Sequence, residues 1–335
     1  MGAALCATTE VMEPRSERRV SQVQTQAQVR MDSWMSHMPP ALQDIPLNLL
    51  AIPGSHNAIT YNLDKQGKSA VDPSQPDLLK KADKYTSGLI RPLMHKWCET
   101  QNLTVTQQLN IGIRYCDLRI GHRPKDNSSN LYFYHGLYSK VTVEEILVEI
   151  RRWLDNHPHE VVILSFSHFL DIDNNRHIRL VNTIRKIFSG KLCPRTEMPT
   201  LRKMWQSGQQ VIVSYEEHAF VNRNTDLWPH IPYWWANKVK ARDLIKSLEN
   251  HKSGGRPRGF FAAGINLTVD LPYITKHLHK SLKDLVKASN PAVLAWVKRQ
   301  SPGNHQRGIN IVAADFVGDG HFAQTVVLLN RKLLN

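Results

Sequence analysis

From residue 47 onward, short apolar runs with strand character alternate with longer stretches of helical periodicity. The runs are LNLLAI (47–52), GIRYCDLRI (112–120), LYFYH (131–135), EVVILSF (160–166), QVIVSY (210–215), GFFAAGINL (259–267) and GINIVAADF (308–316). A weaker eighth lies near IPYWWANKV (231–239). Helical patterns fall at 141–157, 178–188, 241–251, 291–300 and 322–334. In the first of these, Val143, Ile146, Leu147, Ile150 and Leu154 recur at helical spacing until Pro158 stops the helix. EVVILSF is apolar throughout, as a strand covered on both faces must be. Strand and helix alternating over this length argue a parallel α/β fold. An open doubly wound sheet carries a Gly-rich turn after its first strand, whereas here that turn reads PGSHN, with Pro53-Gly54 expected to end the strand. The expected fold is an α/β, distorted (β/α)8 TIM barrel, a single domain over residues 33–335.

The first 32 residues read differently. They are polar, rich in Gln and Ser and short of aromatics, the composition of a disordered N-terminal tail. DSWMSHMPPAL then suggests a short helix ended by Pro39-Pro40. No apolar run approaches the about 20 residues a membrane span needs. Cys6, Cys98, Cys116 and Cys193 show no close pairing, which suggests reduced thiols and a cytoplasmic protein. Lys and Arg number 43 against 29 Asp and Glu. Such a surface attracts polyanions, and composition alone does not choose between nucleic acid and an anionic membrane.

Barrels of this kind carry catalytic groups at the C-terminal ends of their strands. There this sequence places His56, Asp117, Arg119, His135, Ser167, His168, Glu216, Glu217 and Asp315. Two histidines can divide proton work between an attacking and a leaving oxygen. A buried aspartate beside one of them fixes its tautomer. An arginine between them can hold a phosphate and stabilise the charge of its transition state. Together they suit cleavage of a phosphodiester.

Several segments extend the pattern: IPGSHNAITY, GIRYCDLRIGH, YFYHGLYSKVTVEEILVEIRRWLDNHPHEVVILSF, PYWWANKV and GINIVAADFVGDG. In these the chain resembles the phosphatidylinositol-specific phospholipase C X-domain family, from about Trp34 to the C-terminus. Within it, it resembles the small vertebrate members that carry an X domain without regulatory modules. The resemblance implies attack of the inositol 2-hydroxyl on phosphorus, release of diacylglycerol and an inositol cyclic phosphate. It implies His56 as general base, His135 as general acid, Arg119 at the phosphate, Asp315 orienting the base and Asp117 as the acid beside the arginine. Bacterial members carry Asp after the first histidine, and here Asn57 stands there. In the calcium-dependent members Asn at this place is a metal ligand. Calcium wants six to eight oxygens, and Arg119 and Ser167 fall where further acids would be needed. The expectation is catalysis without metal or cofactor. Asn57, Ser167, Glu216, Trp234 and Asn237 are the candidate substrate contacts.

The expected partner is phosphatidylinositol or a related anionic lipid, met by peripheral contact with a membrane, with the protein a monomer and nucleic acid not a partner. The basic stretches at 238–259 are candidate docking segments. A catalytically weak lipid-binding protein on the same barrel is the alternative reading. A metal-assisted glycerophosphodiesterase would need several acids near the strand ends, which the sequence does not offer.

Overall fold

A computed structural model describes residues 30–66, 71–72, 88 and 90–334. Eight parallel strands form one curled sheet. They are β1 (Ile52–Ser55), β2 (Tyr115–Gly121), β5 (Val162–Leu170), β6 (Val211–Tyr215), β7 (Leu227–Pro229), β8 (Tyr233–Trp234), β9 (Ala262–Gly264) and β10 (Ile311–Ala314). Their order across the sheet is β7-β6-β5-β2-β1-β10-β9-β8. The remaining two, β3 (Tyr132–His135) and β4 (Leu137–Thr142), form a hairpin. Its β3 arm pairs antiparallel with the end of β2, Ile120 facing Phe133.

The expected barrel is therefore present, with its strands distributed differently. LYFYH is a hairpin arm rather than a wall strand. The wall is completed by β7, three residues too short to show a periodicity. The chain passes directly from β7 to β8, the two ends of the sheet path.

Alternation along each strand divides the core into two layers. Cys116, Leu118, Leu164, Phe166 and Val213 face outward and pack with the helices. Among these is Val143–Asp155, whose Thr142–Glu145 capping box fixes its start. Ile52, Tyr115, Ile163, Ile212 and Ile311 face inward and meet Trp34, Met35, Leu42 and Leu47, which close the floor. Above this apolar layer the inward positions turn polar: Asp117 opposite Ser165, and Arg119 opposite Ser167.

The first strand is displaced from its expected place. Leu47–Leu49 form a 3-10 turn, and the strand begins at Ile52. Asn310 ties this turn to β10, donating from Nδ2 to the carbonyls of Leu47 and of Leu50 just after it. Pro53 and Gly54 lie inside β1 rather than ending it. A Cβ on Gly54 would come within 2.8 Å of the Tyr115 ring, so the barrel interior requires glycine there. His56 thus follows the strand directly, its N–H donating to Ala314 O at 3.1 Å.

The N-terminal boundary also moves. Met31–Ser33 form a 3-10 turn, and Pro40 starts a helix, Pro40–Gln43, rather than stopping one. Residues 1–29 of the expected tail lie outside the described residues. The floor segment is held by a fully buried Arg114–Glu160 pair at 2.7 Å. Glu160 also accepts from Ser36 N and Oγ, and Arg114 donates to Asp32 O. The basic stretch 251–259 lies at this end too, where Arg256 donates to Asn48 O. It is remote from the strand C-termini because it leads into the start of β9. Among the described residues no helix is long and apolar enough to cross a membrane.

Candidate active site

A cavity of about 670 Å³ opens at the C-terminal ends of the strands. His56, Asp117, Arg119, His135, Ser167, Glu216 and Asp315 all line it. His56, Glu216 and Asp315 follow directly after β1, β6 and β10, whereas Asp117, Arg119 and Ser167 are inward positions within β2 and β5, above the apolar layer.

His56 and Asp315 stand on adjacent parallel strands, β1 and β10. His56 Nδ1 lies 2.7 Å from Asp315 Oδ1, and both residues are buried. A carboxylate there selects the tautomer with the proton on Nδ1, leaving the Nε2 lone pair free to accept. Asn57 Nδ2 reaches that nitrogen at 3.1 Å, and Asp117 Oδ2 lies 3.9 Å from it. Asn57 adopts the left-handed conformation (φ 44°), and its backbone N–H donates to Asp117 Oδ2. Burial pushes the Asp315 carboxyl above its ordinary range, against the pull of the His56 ring, and its Oδ2 has no partner among the described residues.

His135 ends the β3 arm, its ring centroid 6.1 Å from that of His56. Its Nδ1–H donates to Cys98 O at 2.7 Å, so Nε2 is its free nitrogen. Burial, then the Arg119 cation and His56, push its imidazole down to about 3. Arg119 rises from β2 between the histidines. Among the described residues its buried Nε has no hydrogen-bond partner. A guanidinium in a cavity with a buried N–H left to donate is a binding group for an anion.

The PI-PLC X family model (PI-PLC X 1) matches residues 94–330. The chain belongs to the PI-PLC X family. It is similar to PI-PLC X domain-containing protein 1 of Homo sapiens, 46% identical over 303 residues, covering 90% of this chain and 93% of that protein. It is also similar to PI-PLC X domain-containing protein 2 of Mus musculus, 40% identical over 319 residues, covering 93% and 92%. Among solved structures, the phosphatidylinositol-specific phospholipase C from Listeria monocytogenes superposes with a TM-score of 0.63 at 20% identity, covering 90% of this chain and 99% of that one. A mutant of the phosphatidylinositol-specific phospholipase C from Staphylococcus aureus gives 0.63 at 12%, covering 89% and 96%. These two establish the fold.

In this PI-PLC X chain three of the expected contacts do not line the cavity. Trp234 points outward, stacked on His251 at 5.4 Å and packed on Phe261, within the layer between sheet and helices. Strand alternation gives the cavity to its neighbours Tyr233 and Trp235. Asn237 is exposed in a left-handed turn (φ 49°) and does not line the cavity. Asn57 faces a smaller adjoining recess and reaches the site through His56.

Sequence reasoning missed Tyr233, Asn266, Tyr115 and Ser165. The Tyr233 ring lies 5.9 Å from His56, and its hydroxyl donates to Asn266 Oδ1 at 2.8 Å. Once Asp117 and Arg119 are taken as inward, a count of two back finds Tyr115. Ser165 follows only from the β2–β5 register. Ser167 Oγ contacts His168 Nδ1 at 3.0 Å, and Glu216 Oε2 accepts the His168 backbone N–H.

Proposed function

We propose that this chain is a phosphodiesterase that cleaves phosphatidylinositol-type lipids to diacylglycerol and an inositol cyclic phosphate. His56 Nε2 takes the proton of the inositol 2-hydroxyl as that oxygen attacks phosphorus. Arg119 binds the non-bridging phosphate oxygens, whose charge grows in the transition state. His135 Nε2 gives a proton to the diacylglycerol oxygen as its bond to phosphorus breaks. The observation that carries this reading is the oriented His56–Asp315 pair in one cavity with Arg119, whose buried Nε has no hydrogen-bond partner among the described residues. The guanidinium beside Asp117 supplies the positive charge there, and the reading is therefore metal-independent.

The reading extends to a monomer that meets the cytoplasmic surface of a membrane with the cavity rim. Trp235, Leu271 and Leu278 are exposed large apolar residues, and Val269 and Ile274 of the same stretch line the cavity. Lys276 and Lys280 lie exposed among them, suited to anionic lipid.

A second reading, a lipid-binding protein with weak turnover, is favoured by one feature. Asn57 occupies the Nε2 of the proposed base, and His135 is held neutral before an anion enters. Incubation with phosphatidylinositol vesicles in chelator separates the two. Cyclic inositol phosphate that disappears in His56→Ala and His135→Ala supports the lyase. Vesicle binding without product supports the binder, and a strict calcium requirement overturns the role given to Arg119.

A further inference from the structure

Hydrogen bonding between β1 and β10 ends with His56 N–H donating to Ala314 O. Beyond that bond nothing in the sheet keeps His56 and Asp315 at their 2.7 Å separation. The segment Cys98–Gln101, which belongs to neither sheet nor hairpin, lies against this point.

Gln101 is fully buried. One N–H of its carboxamide donates to His56 O at 3.1 Å and the other to Ala314 O at 2.8 Å. Its Oε1 accepts from Val317 N at 3.2 Å. A single side chain therefore spans the two strand ends that carry the proposed base and its aspartate. Thr100 adds a hydroxyl donated to His56 O at 3.0 Å, and its own carbonyl accepts from Phe316 N at 2.7 Å. Three residues before Gln101, Cys98 O accepts the Nδ1–H of His135. The same four residues thus touch the backbone under His56, the backbone on both sides of Asp315, and the ring of His135.

We propose that Gln101 is a positioning residue that sets the His56–Asp315 contact and links it to the orientation of His135. It touches no substrate and acts through the carbonyls it holds. Its kinetic consequence rests on the proposed phosphodiesterase reading, while its geometric consequence does not. A glutamine that only satisfied buried carbonyls could be replaced without moving a proton on either imidazole. A positioning glutamine could not, because loss of its two donors frees both strand ends and the segment that holds His135.

The test is Gln101→Met, which keeps length and burial and removes both donors. Proton and nitrogen NMR of the full chain reads the Nδ1–H signals of His56 and His135, and thermal unfolding checks the fold. The expected result is that both imidazole signals shift or broaden together in a folded variant. With phosphatidylinositol vesicles, kcat then falls about 10- to 100-fold while KM stays within about twofold, as for a small misplacement of reacting groups. Unchanged imidazole signals overturn the proposal, whatever the activity. Shifted signals in a protein whose wild type makes no cyclic product sustain the positioning role and count against the phosphodiesterase. Should Gln101→Met fail to fold, Gln101→Asn is read in the same way, since its shorter amide cannot span both carbonyls.

Discussion

His56 and Asp315 are 259 residues apart in sequence, and their side chains meet at 2.7 Å because β1 and β10 are neighbours in the sheet. The contact fixes which nitrogen of His56 carries the proton. Asp315→Asn can present an amide N–H to Nδ1 and so favour the other tautomer, whose Nε2 cannot accept. Cyclic phosphate production should fall by about 10²- to 10⁴-fold, with melting temperature little changed. Equal activity in the variant would remove the tautomer argument.

Arg119 has no partner to lose at its buried Nε among the described residues, so its substitution should cost activity rather than stability. Lysine keeps the charge but not the planar fork that grips two phosphate oxygens. Arg119→Lys should lower kcat about 10²- to 10³-fold, the effect of removing a transition-state donor. Steady-state kinetics in chelator beside a thermal melt checks both halves of this expectation.

These two residues also show why part of the site is legible in the sequence. Arg119 and Asp117 are two apart on one strand, so alternation puts both on one face, and Asp315 follows an apolar run that marks its strand end. Trp234 shows the opposite case. β8 has two residues, too few to establish which parity faces inward, and the structure gives Tyr233 and Trp235 the cavity. The β3 arm of the hairpin reads as a wall strand because a short apolar run looks the same in either setting. Gln101 gives no signal in the sequence, since its value lies in two carbonyls reached across the fold.

His135 carries the pH prediction. Its imidazole is pushed down to about 3 by burial, then by the Arg119 cation and His56. An anion bound at Arg119 opposes these and draws a proton onto His135. Uptake of a proton on binding means that affinity rises as pH falls. Inositol 1,2-cyclic phosphate keeps one negative charge throughout, so calorimetry should find it bound several-fold more tightly near pH 5 than near pH 8. The free protein shows the reverse dependence in stability. The folded value lies below the unfolded one of about 6.5, so stability is complete above about 6.5 and declines as pH falls toward about 3. A pH-independent affinity would take the proton-donor role from His135.

The charge of the cavity bears on the head-group. Among the described residues Arg119 is the only Lys or Arg lining it, against Asp117, Glu216 and Asp315. A further phosphate on the ring would bring negative charge into a cavity lined by these three carboxylates and, among the described residues, by no second Lys or Arg. Phosphatidylinositol should be turned over faster than its 4,5-bisphosphate, and Glu216→Lys should narrow that ratio about tenfold, the effect of some 1.4 kcal/mol. Glu216→Gln controls for the hydrogen bond that the carboxylate accepts from His168 N–H. Preference for the bisphosphate in the unsubstituted protein would contradict this charge reading.

The rim can be separated from the chemistry behind it. Leu278 is about half exposed and lies outside the cavity, so it has no part in the proposed proton transfers. Placing a leucine side chain in lipid contributes about 1.5–3 kcal/mol, and a carboxylate there is also repelled by anionic headgroups. Leu278→Asp should weaken sedimentation with phosphatidylinositol-containing vesicles by about tenfold or more. Cleavage of a short-chain phosphatidylinositol dissolved as monomers should not change, because that substrate needs no membrane. An equal loss on both substrates would mean that the substitution disturbs the cavity, and unaltered vesicle binding would place the docking surface elsewhere on the molecule.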